Sequence, residues 1–144
     1  MTLWSNMNSI SKFIHLPGVD KKLLFEALFF LYFSKCILFL FPFKVCFKLL
    51  KPLENIAEKN DCACVRKIRD AMFRANKLAF WKNICLVKSF AARLMLQRRN
   101  ISSILYLGLQ MKGRRELIAH AWLISENIYI TPKGSSKFKE IFSV

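Results

Sequence analysis

Two side chains in this sequence are suited to covalent chemistry as a pair: Cys85, within Asn83-Ile84-Cys85-Leu86-Val87-Lys88-Ser89-Phe90, and His120, within Ala119-His120-Ala121-Trp122. Only a thiolate attacks a carbonyl, so a working cysteine needs a base beside it and a positive local field. An imidazole supplies the base. The start of a helix supplies the field through its unpaired N–H groups and macrodipole. Asn83 is a suitable cap, and an apolar face follows at Leu86, Phe90 and Leu94 with Val87, Ala91 and Met95. The pattern therefore predicts a helix with Cys85 in its first turn, ending near Asn100. Lys88, Arg93, Arg98 and Arg99 fall outside that face and are expected to meet solvent or a ligand. The bland alternative is a small core cysteine and a hydrogen-bonded strand histidine that do no chemistry.

His120 must be carried by a sheet. Ile104–Met111, Leu117–Ile124 and Ile128–Thr131 read as strands of an antiparallel meander, with turns at Lys112–Arg115 and Ser125–Asn127. Pro132–Ser136 breaks the meander, and the tail from Phe138 to Phe142 is expected to pack back on the domain. Upstream, Cys62–Leu78 is amphipathic, with Val65, Ile68 and Met72 on one stripe that Ala75 and Ala79 would extend. Phe80-Trp81-Lys82 is a bulky connector to the cysteine helix, and Leu53–Asp61 is a polar one after Pro52.

The first third is apolar. Pro17-Gly18 marks a turn, Asp20 is the expected N-cap, and Lys21–Phe41 is hydrophobic nearly all round until Pro42 breaks it and Phe43–Leu50 continues as a helix. The run has about the roughly 20 residues that a bilayer requires. Glu26 and Lys35 lie inside it, each costing roughly 2.5 to 3.5 kcal/mol near a bilayer centre. A buried or partner-facing helix is therefore favoured over a span, with an interfacial helix as the third arrangement.

The chain has 144 residues, 54% hydrophobic and 14% aromatic, which excludes disorder and fits a single domain over 1–144. Within it, 20–51 is the apolar helical region and 80–144 holds the cysteine helix and the histidine-bearing sheet. The net charge of +15 points to an anionic partner. The charge is spread along the chain and no nucleic-acid motif is present, so nucleic acid is not the expected partner. No acidic residue occurs between Asp70 and Glu116, and the basic side chains of that stretch would attract an acidic peptide or partner face. The odd set Cys36, Cys46, Cys62, Cys64 and Cys85, with no recognisable signal segment before it, reads as a reduced cytoplasmic protein, membrane association at 23–50 being the variant of that reading. Cys62-x-Cys64 is too tightly spaced for a zinc knuckle and His15 and His120 are isolated, so neither metal nor cofactor is expected.

A cysteine-led helix followed by an antiparallel sheet carrying histidine resembles the core of papain-like and transglutaminase-like folds, an α+β architecture helical in its first two thirds. Trp81 before Cys85-Leu86, then Leu94-Met95-Leu96-Gln97-Arg98-Arg99-Asn100-Ile101, Leu105-Tyr106-Leu107-Gly108-Leu109 and Ala119-His120-Ala121-Trp122-Leu123 resemble the lasso peptide biosynthesis B family in its stand-alone leader-peptidase form. The resemblance implies a cysteine peptidase that removes the leader from a ribosomally made precursor, with Cys85 as nucleophile and His120 as base. It also implies two partners, a winged-helix-like leader-recognition protein and an ATP-dependent macrolactam cyclase. The family carries an aspartate about a dozen residues beyond the histidine, where this chain has Thr131-Pro132. Asn127, Thr131 or a backbone carbonyl remain to orient the imidazole. The alternatives are an inactive membrane-associated or basic binding protein and a transglutaminase-like acyltransferase, which would use the same two residues.

Overall fold

The structure, a computed structural model, describes residues 14–50, 61–79, 84–134 and 137–144. Trp81, Asn83 and the connectors expected at 53–60 and 80–82 lie outside the described residues. Among the described residues, four helices precede a four-stranded antiparallel sheet, giving the α+β order expected from the sequence.

Helix α1 (Gly18–Leu40) starts earlier than expected: Pro17, not Asp20, is the N-cap, and Asp20 sits in the first turn, where its charge complements the helix dipole. One face of α1, formed by Leu23, Leu24, Ala27, Leu31 and Ser34, is buried against α3 (Cys62–Leu78) and α4 (Cys85–Gln97). Glu26, which looked costly inside an apolar run, is paired: Arg99 of the turn after α4 donates to both of its carboxylate oxygens, at 2.8 and 2.5 Å, and Arg98 lies at 3.8 Å. That hydrogen bond holds the Arg99 guanidinium above its ordinary pKa. By length and composition α1 could cross a membrane, a test that a core helix or a signal sequence also passes.

Pro42 caps α2 (Phe43–Leu49) and turns the chain, bringing Cys46 into the core. Burial pushes the Cys46 thiol up. In α3 the amphipathic stripe is realised with Val65, Ile68, Met72 and Ala75 buried and Ala71 beside them, and Asp61 caps the helix by accepting from the Cys64 amide at 2.9 Å. Asn100 adopts φ 55 just beyond α4, as a left-handed helix stop.

Arg93 departs from expectation. It is on the core side of α4 and only 2% exposed. Its Nη2 donates to the Leu50 carbonyl at 2.7 Å and its Nη1 to the Val144 carbonyl, so it ties the end of α2 and the end of the sheet to α4. Burial lowers its pKa to about 10.

The sheet runs in the order β3-β2-β1-β4, with β1 Ile104–Lys112, β2 Glu116–Ser125, β3 Ile128–Thr131 and β4 Lys139–Ser143. Glu126 and Asn127, at φ 49 and 59, form the two-residue turn between β2 and β3, a shape that matches strand twist. The tail after Pro132 does more than pack back, since it adds β4 alongside β1. Every residue of β4 is exposed, so it lacks the alternation that reveals a strand in sequence.

Candidate active site

The two faces of the sheet have different neighbours. Leu105, Ala121, Leu123 and Ile130 belong to the core shared with the helices. Residues in alternation with them face the other way: Tyr106 is paired with Trp122, and Gly108 with His120. On that outer face the Tyr106 and Trp122 rings stack at 5.6 Å, and the His120 ring lies 6.2 Å from Trp122 and 5.0 Å from Phe138. Gly108 makes room for this layer. A Cβ there would lie 2.7 Å from the indole of Trp122.

Cys85 is the first residue of α4 and is half-buried. Ile84 holds the N-cap position and provides no side-chain acceptor, so among the described residues no side-chain cap bond claims the first-turn amides of α4. One turn further, Ser89 is fully buried and its Oγ lies 2.7 Å from Thr131 Oγ1 and 3.4 Å from the Ala121 carbonyl it donates to. Thr131 Oγ1 also accepts from the Leu123 amide at 2.8 Å. These bonds pin the first turns of α4 to β2 beside His120 and to the end of β3.

His120 Nε2 lies 2.8 Å from the Pro132 carbonyl oxygen. A carbonyl only accepts, so Nε2 carries the proton of the neutral ring and Nδ1 keeps its lone pair. The connection between the candidate residues runs from Cys85 along one helical turn to Ser89, across to Thr131, and through Pro132 to the imidazole. No hydrogen bond joins Cys85 Sγ to the ring among the described residues.

Asn127 is not near the imidazole. It sits beyond the far end of β2, and His120 to Ser125 alone spans about 16 Å at the usual rise per strand residue. Thr131 is close in sequence, but its hydroxyl serves Ser89 and Leu123, whereas the neighbouring main-chain oxygen of Pro132 contacts the ring. Ser89 was not singled out from the sequence, although its one-turn spacing from Cys85 puts both on one side of α4. Serine in a helix is too common to signal a brace by itself.

A cleft of about 410 Å³ opens beside this region, lined in part by Met72, Phe73, Lys88, Tyr129, Thr131 and Pro132. It joins the second turn of α4 to the segment that holds His120, and Lys88 gives it a cation. Among the described residues no group of three or more His, Cys, Asp or Glu is arranged to hold a metal ion.

Removing the Ser89 hydroxyl would leave a buried main-chain acceptor and the Thr131 hydroxyl short of a partner. Ser89→Ala is expected to cost about 1 to 2 kcal/mol in urea unfolding. An unchanged unfolding midpoint would show that the brace contributes nothing.

No curated protein and no solved structure matches the chain. A model of the transglutaminase-like superfamily matches residues 38–143, which include the cysteine-led helix, the histidine-bearing strand and the segment between them. With most of its length covered, and with a Cys-led helix packed on a His-bearing antiparallel sheet, the chain belongs to the transglutaminase-like superfamily.

Proposed function

We propose that this protein is a cysteine peptidase that releases the leader from a ribosomally made lasso peptide precursor, working with a separate leader-recognition protein and ahead of the macrolactam cyclase. The observation that carries the reading is Cys85 at the start of a helix braced against the strand of His120, in a superfamily whose members are generally cysteine-protease-like.

In this reading Cys85 Sγ attacks the carbonyl carbon at the leader junction and His120 Nδ1 takes the thiol proton. With Nε2–H held by the Pro132 carbonyl, Nδ1 is the nitrogen with a lone pair to offer. Proton transfer requires Sγ within hydrogen-bond reach of Nδ1, and the His120 ring, on the sheet face turned away from α4, has to swing towards the helix for that contact to form. The first-turn amides, that of Cys85 foremost, supply donors for the oxyanion. The imidazolium then protonates the leaving amine, and water attacks the thioester to free the leader carboxylate and regenerate the thiol.

The Pro132 carbonyl stands near the place where the resembled family has an aspartate. As a neutral acceptor it orients the ring but stabilises the imidazolium less than a carboxylate would. The acyltransferase reading differs only in the second substrate, an amine in place of water.

Both are tested by incubating the protein with the precursor encoded beside its gene and the leader-recognition partner, with and without an added primary amine, and weighing the products. Leader release as a free acid supports the peptidase. A leader coupled to the amine as the main product supports the acyltransferase, and an intact precursor that the partner demonstrably binds removes the catalytic assignment.

A further inference from the structure

The outer side of α1 and α2 bears a surface that the catalytic reading does not use. Phe25, Phe29, Tyr32, Phe33, Phe39 and Phe43 are exposed, Phe39 at 88%. Phe29 and Phe33 stack along the outside of α1 with centroids 6.0 Å apart. A soluble monomer rarely leaves a contiguous apolar patch beyond a few hundred Å² open to water, and this one follows a helix about 35 Å long.

Its charges are of one sign. Lys22, Lys44 and Lys48 are exposed among the rings. The carboxylates of α1 are engaged elsewhere, Glu26 by Arg99 and Arg98 and Asp20 by Arg74 at 3.9 Å, while α2 contains no acid. The surface therefore presents aromatic rings and ammonium groups. That chemistry is complementary to a bilayer with anionic headgroups: rings enter the acyl boundary, and lysines stretch their methylene stems along it to reach phosphate.

The arrangement distinguishes lying on a membrane from crossing it. The opposite face of α1 is committed to the domain through Leu23, Leu24, Ala27 and Leu31, and Glu26 is bound to the turn after α4. A spanning α1 would strip the core of these residues and expose the Glu26–Arg99 pair to hydrocarbon. We infer that α1 and α2 form an interfacial docking surface for an anionic bilayer, with α1 lying in the membrane plane.

The test is flotation of the full chain with vesicles of phosphatidylcholine alone and of phosphatidylcholine mixed with phosphatidylglycerol. The expected result is at least about tenfold tighter binding to the mixed vesicles, weakening with salt. Lys44→Gln with Lys48→Gln should shrink that preference, and Phe39→Ser with Phe43→Ser should weaken binding to both vesicle types. All four side chains are exposed, so the variants should keep the wild-type circular dichroism spectrum. Three outcomes overturn the inference: a folded wild type that ignores both vesicles, vesicle binding that the phenylalanine changes leave intact, or a lipid-free dimer or a complex with the recognition protein that those changes dissociate while vesicle binding is nil.

Discussion

Cys85→Ala is expected to reduce leader release by at least about a thousandfold, and His120→Ala by a similar factor, because nucleophile and base act as a unit and losing either removes the covalent route. The double variant should be hardly slower than either single one. Cys85 is half-buried at the edge of the core and its replacement removes one sulfur, so unfolding curves should change little. His120→Ala removes a ring packed between Trp122 and Phe138 and needs the unfolding control. Equal leader release by wild type and Cys85→Ala would remove the nucleophile assignment, and a double-variant defect equal to the product of the single ones would show that the two residues act separately.

The largest stability effect is expected at Arg93. Arg93→Ala opens a cavity, leaves the buried Leu50 carbonyl without its donor and reduces the main-chain oxygen of Val144 to its bond from the Leu105 amide. The combined loss is about 3 to 5 kcal/mol, or a fall in Tm of about 10 to 16 °C. The guanidinium's charge does not supply this stability. Burial lowers the pKa to about 10, so the unfolded chain holds the proton more tightly and the charged form is penalised in the fold. That penalty is fully present below about pH 10 and is relieved only as pH rises above it. The deficit of Arg93→Ala should therefore be flat across neutral pH. A deficit under about 1 kcal/mol, or one that varies steeply near neutrality, would show that the two carbonyl bonds are not what holds these segments together.

Periodicity was enough to read α3 from Cys62 to Leu78, the Cys85 helix, three strands and the break at Pro42, because a stripe repeating every 3.6 residues or every second residue records which side faces a core. The types of Cys85 and His120 identified candidate chemistry before any geometry. Three features were decided only by tertiary contact. Arg93 reads as a surface cation along the sequence, yet two carbonyls from segments remote in the chain make its burial tolerable. Glu26 looked like a transfer cost until the fold brought Arg99 to it. The partner of His120 is a main-chain oxygen of Pro132, which no residue type announces: every residue has a carbonyl, and only the path of the chain after β3 determines which one meets the ring.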